Sequence, residues 1–318
     1  MKDKTVSVVL CTYNGECYLK EQLDSIVRQT YPIMELIVQD DCSTDGTIGI
    51  IKEYVSKYPW IHLYRNEFNI GFKDNFGSAT TRATGDLVAF SDQDDIWIEN
   101  HIQVLVDTIQ DSVLACACSV LVNKYGVSLG FTTDEEKGFS FVPQDSIEKA
   151  YRIFYNCGFY MGHNMLVDSK WLKSALPIPS GSVYHDIWFS AFACMNGGIN
   201  YSDTVISYYR QHGGNVTKNR RFSIFKELKM RHHFDFSSDR IVVYNAIIER
   251  VRNLSPQASS FLKEWKWYYD HTQLRSYHLR CWWHRFSHYK QIYGTDNYKY
   301  FILRSIQYLL TPPFKRIN

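Results

Sequence analysis

The sequence predicts an α/β protein: a mostly parallel sheet flanked by helices, followed by a helical C-terminal region. Three observations carry that expectation. Short apolar runs alternate with helical patterns from residue 6 to residue 121, the spacing of βαβ units. The runs are continuously apolar, as strands covered on both faces are. From Phe222 onward the pattern turns helical, and no convincing strand-like alternation returns.

Taken in order, residues 6–10 are β-branched and open the series as a strand. Residues 17–28 place Leu19, Leu23, Ile26 and Val27 at helical spacing. Further strands are predicted over 36–38, 61–64, 87–90 and 113–121, with helices over 47–57, 75–83 and 98–109. Residues 123–145 read as a polar loop around "TTDEEKG". Beyond it the pattern predicts a helix over 146–155, a strand over 164–167, a helix over 185–195 and a strand over 205–209. Pro177, Pro179 and Gly181 mark a loop between them.

The 318 residues suit one large domain, or one domain with an appendage. The net charge of +2 hides an asymmetry. Residues 222–318 hold 16 Lys and Arg against 7 Asp and Glu, with 21 aromatic residues; residues 1–221 hold 19 against 26. A basic, aromatic segment such as "EWKWYYDHTQLRSYHLRCWWHRF" suits peripheral contact with a membrane surface, or packing as a helical bundle on the body or a second subunit. No nucleic-acid recognition fold is legible, so nucleic acid is not an expected partner. The eight cysteines are scattered with no CxxC pair, which reads as reduced thiols of a cytoplasmic protein. The N-terminal apolar run is too short for a signal peptide, and no stretch reaches the roughly 18 apolar residues of a spanning helix.

Three polar motifs fall where strands end, the edge at which open α/β sheets bind ligands. "CTYNG" follows the first strand, "QDDCSTDGT" the second and "SDQDD" the fourth. In "SDQDD", Asp92 and Asp94 stand at i and i+2. Carboxylates so spaced can face one hard cation, Mg²⁺ or Mn²⁺, or form a solvated acidic turn. In "QDDCSTDGT", Asp40 and Asp41 can accept hydrogen bonds from a base or ribose, while Ser43 or Asp45 can cap the next helix. Tyr13 offers a stacking surface beside an Asn14-Gly15 turn. Asp186, in "SVYHDIWFSA", suits the first turn of a helix. Arg210, in "SYYRQHGGNVT", can pair with phosphate or close a surface loop, and His212 is of a metal-ligating type.

Together, "VSVVLCTYNGECYLKEQLDSIVRQTYP", "ELIVQDDCSTDGT", "NIGFKDNF" and "ATGDLVAFSDQDDIW" resemble the family-2 glycosyltransferases of the GT-A fold. The resemblance is densest over residues 4–110 and continues loosely to about 217. One departure is Cys42, where the family usually has Gly; a slightly different turn is expected there. The resemblance implies a GT-A catalytic domain over 1–221 and a helical C-terminal region over 222–318. It implies that Asp41 contacts a uracil- or thymine-type base, with Asp40, Thr12, Tyr13 and Asn14 lining the same pocket. Lys73 and Asn75 would be nucleotide or sugar contacts. Asp94 would be the principal metal ligand, Asp92 would sit nearer the ribose or serve as the second acidic ligand, and His212 would be a third ligand. Asp186 would be the general base, and Gly162 would let a sugar approach the backbone. Asp95 is left without a chemical task.

The implied activity is inverting, metal-dependent transfer from a UDP- or dTDP-sugar to a glycan or lipid-linked glycan, at the inner face of a bacterial membrane. Rhamnosyltransferases of surface polysaccharide synthesis are among the similar enzymes. A non-catalytic nucleotide-sugar-binding scaffold and a nucleotidyltransferase are the alternatives.

Overall fold

The computed structural model describes residues 4–136, 139, 143–155, 160–181, 184–213, 238–273, 279–293 and 302. The first half runs β1 (Val6–Thr12), α1 (Leu19–Val27), β2 (Ile33–Asp40), α2 (Thr47–Lys57), β3 (Ile61–Arg65), α3 (Phe72–Thr80) and β4 (Leu87–Ser91). The second half runs β5 (Ile96–Trp97), α4 (His101–Ile109), β6 (Leu114–Asn123), β7 (Ser128–Thr132), α5 (Thr133–Glu136), α6 (Ser146–Tyr155), β8 (Met165–Asp168), α7 (Ser169–Ala175), α8 (His185–Met195) and β9 (Ile199–Gln211). Among the described residues, the C-terminal helices α9 (Ser238–Arg250), α10 (Pro256–Gln273), α11 (Leu279–Ser287) and α12 (Tyr289–Tyr293) follow.

The described strands form one sheet in the order β3-β2-β1-β4-β8-β6-β9-β5, with β7 on β6. Period-two side-chain alternation divides each central strand between two cores. Val6, Val8 and Leu10 of β1 pack with Leu19, Leu23 and Ile26 of α1 and Leu105 of α4. Val9 and Cys11 pack on the other face, with Phe76 of α3, α6, α8 and the C-terminal helices. Both faces are covered, which is why β1 is apolar and buried along its whole length.

The strands β3, β2, β1 and β4 are parallel, as the sequence predicts. The other half is mixed, because β8 enters between β4 and β6 in the opposite direction to both. Parallel register aligns Thr12 with Asp40 and Leu10 with Ser91. The loops after β1, β2 and β4 therefore leave the sheet at one edge.

Four elements escape the sequence pattern. The expected polar loop over 123–145 holds β7 and α5. Asn123 builds the hairpin turn, its Oδ1 accepting from the Tyr125 and Val127 amides at 2.9 and 3.1 Å. The first residues of β7 are exposed, so that strand lacks an apolar alternation to read. Helix α7 is short and capped by Asp168, whose carboxylate accepts from the Lys170 and Trp171 amides. Strand β5 has two residues, too few for any period to show.

The C-terminal aromatics are largely packing groups where they are described. Trp265 and Tyr268 are fully buried. The Trp265 ring meets Phe154 edge-on at 5.0 Å, and its indole N–H donates to the Phe154 carbonyl. Trp283, by contrast, is 61% exposed. The expected domain boundary at residues 221 and 222, the helical reading of 222–237, and Cys157 lie outside the described residues. Cys11, Cys17, Cys42, Cys116, Cys118 and Cys194 carry free thiols. Among the described residues, no helix is long and apolar enough to cross a membrane.

Candidate active site

The three motif loops and the start of α8 enclose a cavity of about 440 Å³. Thr12, Tyr13, Asp41, Asn75, Asp92, Asp94 and Asp186 line it, seven of the residues read from the sequence. Asn14, Asp40, Lys73, Arg210 and His212 are not among its walls, though His212 bonds to Asp94, which is.

Side chains stitch the loops together before any ligand is considered. Gln93 bridges two of them, accepting from the Tyr13 amide at 2.9 Å and donating to the Tyr13 carbonyl at 3.1 Å. The Tyr13 ring is left half-exposed at the rim. Asn14 turns the chain at φ 48°, and its Oδ1 accepts from the Thr44 amide. Asp40 is fully buried beneath the pocket. It accepts from the Thr12 hydroxyl at 3.0 Å, and from the amide and hydroxyl of Ser43. Asp41 does reach the cavity, but its carboxylate also holds the loop over 66–71. Oδ1 accepts from Asn66 Nδ2 and the Ile70 amide, and Oδ2 from the Gly71 amide. Asn75 supports that loop, with its Nδ2 on the Gln39 carbonyl and its Oδ1 on Asn66. Lys73 lies 3.5 Å from Asp74, away from the cavity.

Cys42 occupies the left-handed region at φ 65°. The turn thus has the conformation glycine favours, so the structure does not bear out a different turn there. A side chain at such a position costs about 1–2 kcal/mol. Cys42→Gly is expected to stabilise the protein by about 0.5–1 kcal/mol, the gain being reduced by glycine's greater unfolded-state freedom. The urea midpoint measures it; a lower midpoint would show that the Sγ contact to the Glu67 carbonyl outweighs the backbone strain.

The carboxylates of "SDQDD" have separate surroundings. Asp92 is pushed well above the usual carboxylate range by its enclosure and by the charges of Asp94 and Asp186. All three carboxylates line the one cavity. Asp94 Oδ2 accepts from His212 Nε2 at 2.7 Å, joining residues 118 apart in the chain. Tyr18 lies against the His212 ring at 4.8 Å. Asp95 is fully buried; its Oδ1 accepts from the Arg210 amide at 3.0 Å, and His163 Nδ1 lies 3.5 Å from its Oδ2. Asp95 thus ties the acidic motif to β9, the task the sequence left open.

Arg210 corrects one expectation. It is buried rather than presented to a phosphate. Its guanidinium donates to the Asp94 carbonyl at 2.8 Å, to the Lys124 carbonyl at 3.0 Å and to the Glu21 carboxylate, and lies 4.7 Å over the Tyr18 ring. A charge pinned on these fixed acceptors braces the motif backbone. Gly162 lines the cavity, and a Cβ there would lie 2.5 Å from His185 Nε2, so only glycine fits beside that imidazole.

Asp186 lies in the first turn of α8, where Tyr184 is the N-cap. Its Oδ1 accepts from the Ile187 amide at 2.7 Å. Beside it, His185 is buried against Phe76 and Phe90, and burial pushes its imidazole toward the neutral form. His163 groups its ring nitrogen with Asp92 and Asp95 carboxylate oxygens, all within 4.8 Å. The mixture of acidic and histidine residues across "SDQDD" and "MGHN" was the available signal.

A parallel half that gathers polar loops at one edge, a mixed second half, and an acidic motif at their junction define the GT-A fold. Residues 7–176 match the profile of Glycosyl transferase family 2, and the chain belongs to that family. Among its relatives, the dTDP-rhamnosyl transferase RfbG of Shigella flexneri is 32% identical over 126 residues. That match covers 36% of this chain but only 42% of RfbG. The UDP-Glc:α-D-GlcNAc-diphosphoundecaprenol β-1,3-glucosyltransferase WfgD of Escherichia coli is 27% identical over 231 residues, covering 72% of this chain and 84% of WfgD. Among solved structures, the mannosyltransferase PcManGT of Pyrobaculum calidifontis, in complex with GDP-Man and Mn²⁺, superposes with a TM-score of 0.56 at 18% identity. It covers 92% of this chain and 74% of that one, a likeness of fold.

Proposed function

We propose that the protein is an inverting, metal-dependent glycosyltransferase that moves a sugar from a UDP- or dTDP-sugar to a glycan acceptor in bacterial surface polysaccharide synthesis. The observation that carries this reading is that Asp94, which lines the cavity together with Asp186, is also bonded to His212. Family membership supports the reaction class, and the donors named for WfgD and RfbG support the nucleotide class.

The donor atoms fit a divalent cation. Asp94 and Asp92 offer hard oxygens, His212 an imidazole nitrogen, and the clustered negative charge is relieved by a positive ion. Mn²⁺ or Mg²⁺, when bound, supplies Lewis-acid neutralisation of the departing diphosphate. Every other role falls to the chain. Tyr13 stacks the base at the rim, beside Thr12 and Asp41. The stitched loops hold the donor in place, and Asn75 keeps the loop over 66–71 in position. Asp186 takes the proton of the acceptor hydroxyl as that oxygen attacks the anomeric carbon from the face opposite the leaving group. Asn14, Asp40 and Arg210 act through the groups they hold. The acceptor is a lipid-linked glycan at the inner face of the membrane, with the basic, aromatic C-terminal region as the contact surface. Exposed Trp283 and the acceptor named for WfgD support that part.

Incubation with a panel of UDP- and dTDP-sugars, Mn²⁺ and membrane extract tests the reading. Release of free nucleoside diphosphate with sugar transfer is expected, and a chelator should abolish it. Pyrophosphate release would replace the reading with nucleotidyl transfer. A donor-dependent thermal shift with no product would replace it with a binding scaffold.

A further inference from the structure

Far along the chain from the cavity, α6, α10 and α11 converge on a second group of ligand-type side chains. Glu264 of α10 faces His284 and His288, which stand at i and i+4. His284 Nδ1 lies 3.3 Å from Glu264 Oε1, and His288 Nε2 lies 3.5 Å from the same oxygen. All three ligand atoms lie within 4.8 Å of one another. Metal–ligand bonds of about 2.0–2.1 Å in a tetrahedron put neighbouring donors roughly 3.3 Å apart. The 3.3 and 3.5 Å separations match that edge length.

The surroundings aim these atoms. His284 Nε2 is engaged by the Tyr155 hydroxyl at 2.8 Å, which turns Nδ1 toward Glu264. His288 Nδ1 is engaged by the His284 carbonyl at 3.0 Å, which turns Nε2 the same way. Hydrogen bonding of the far ring nitrogen is how metal-binding histidines are fixed in tautomer and orientation. The Tyr151 hydroxyl sits 3.4 Å from both Glu264 oxygens, and its ring stacks on His288 at 4.7 Å. Glu264 and His288 remain about one-third and one-quarter exposed, so solvent can supply a fourth ligand.

We infer that Glu264, His284 and His288 form a transition-metal site of the Zn²⁺ class, separate from the donor-site cation. Two imidazoles and one carboxylate suit Zn²⁺ better than the hard ions expected at Asp94. The site joins α10 to α11 and, through Tyr151 and Tyr155, fastens both to α6. Its role is to hold the C-terminal helices on the catalytic body.

The test counts tightly bound Zn²⁺ on full-length protein carrying Asp94→Asn, which weakens the donor site. One equivalent is expected to remain. Adding His288→Ala or Glu264→Gln in that background should remove it, while Tyr155→Phe should weaken it about tenfold. Zn²⁺ alone should raise the melting temperature of the Asp94→Asn protein but not of its His288→Ala derivative. Far-UV circular dichroism of the metal-free proteins separates site loss from misfolding; if His288→Ala fails to fold, Glu264→Gln gives the reading. Absence of tight Zn²⁺ in the Asp94→Asn protein, or its retention after both ligand changes, would overturn the inference.

Discussion

Asp186→Asn is expected to lower kcat by ~10²–10⁴-fold while donor and Mn²⁺ affinity stay close to those of the unaltered protein. The substitution is nearly isosteric, and its amide oxygen can still accept from the Ile187 amide, so the first turn of α8 keeps its hydrogen bond. What disappears is the capacity to take a proton. Each tenfold loss corresponds to about 1.4 kcal/mol of barrier. Product formation at saturating donor, with donor binding followed by thermal shift, measures both halves. Transfer at a rate near that of the unaltered protein would remove Asp186 as the base.

The second large effect concerns the cation. Asp94→Asn should raise the Mn²⁺ concentration needed for half-maximal activity by ~10²-fold or more, since groups behind a metal ligand already contribute 10–100-fold. His212→Ala should raise it by at least about tenfold. Arg210→Lys tests the brace: a point charge cannot reproduce the contacts to Asp94, Lys124 and Glu21 at once. An Mn²⁺ requirement unchanged in both Asp94→Asn and His212→Ala would place the cation elsewhere, with the Asp92, Asp95 and His163 group as the next location to test.

The parallel half of the fold was legible because buried strands advertise themselves as uninterrupted apolar runs. Residues 6–10 and 87–90 could hardly be read otherwise. Strand β5 was not legible, yet it decides the site. Its two residues pair Ile96 with Tyr208 and Trp97 with Ser207, which draws the acidic motif alongside β9. Motifs found part of the cavity wall: Thr12, Tyr13, Asp41, Asn75, Asp92, Asp94 and Asp186 line it, but so do Phe72, Met161, Tyr184 and Tyr209, which the motifs did not single out. The braces were misread because a local sequence carries no sign of a distant partner. Nothing around Arg210 announces Glu21, 189 positions earlier. Asp40 and Asp41 look alike in a string of letters, but alternation along β2 and its exit turn buries one under the pocket and opens the other into it. His163 carries no local sign of its neighbours either, yet Asp92 and Asp95 lie beside it.

The bond between Asp94 and His212 also sets a schedule. A ribosome releases the first member of the pair 118 residues before the second. During that interval the nascent chain has β1, β2 and β4 and their loops, but β9 has not yet closed against β5. The emerging polypeptide therefore carries the acids of "SDQDD" without the histidine that Asp94 meets in the folded chain. That contact needs β9, the strand that carries Arg210, in register against β5.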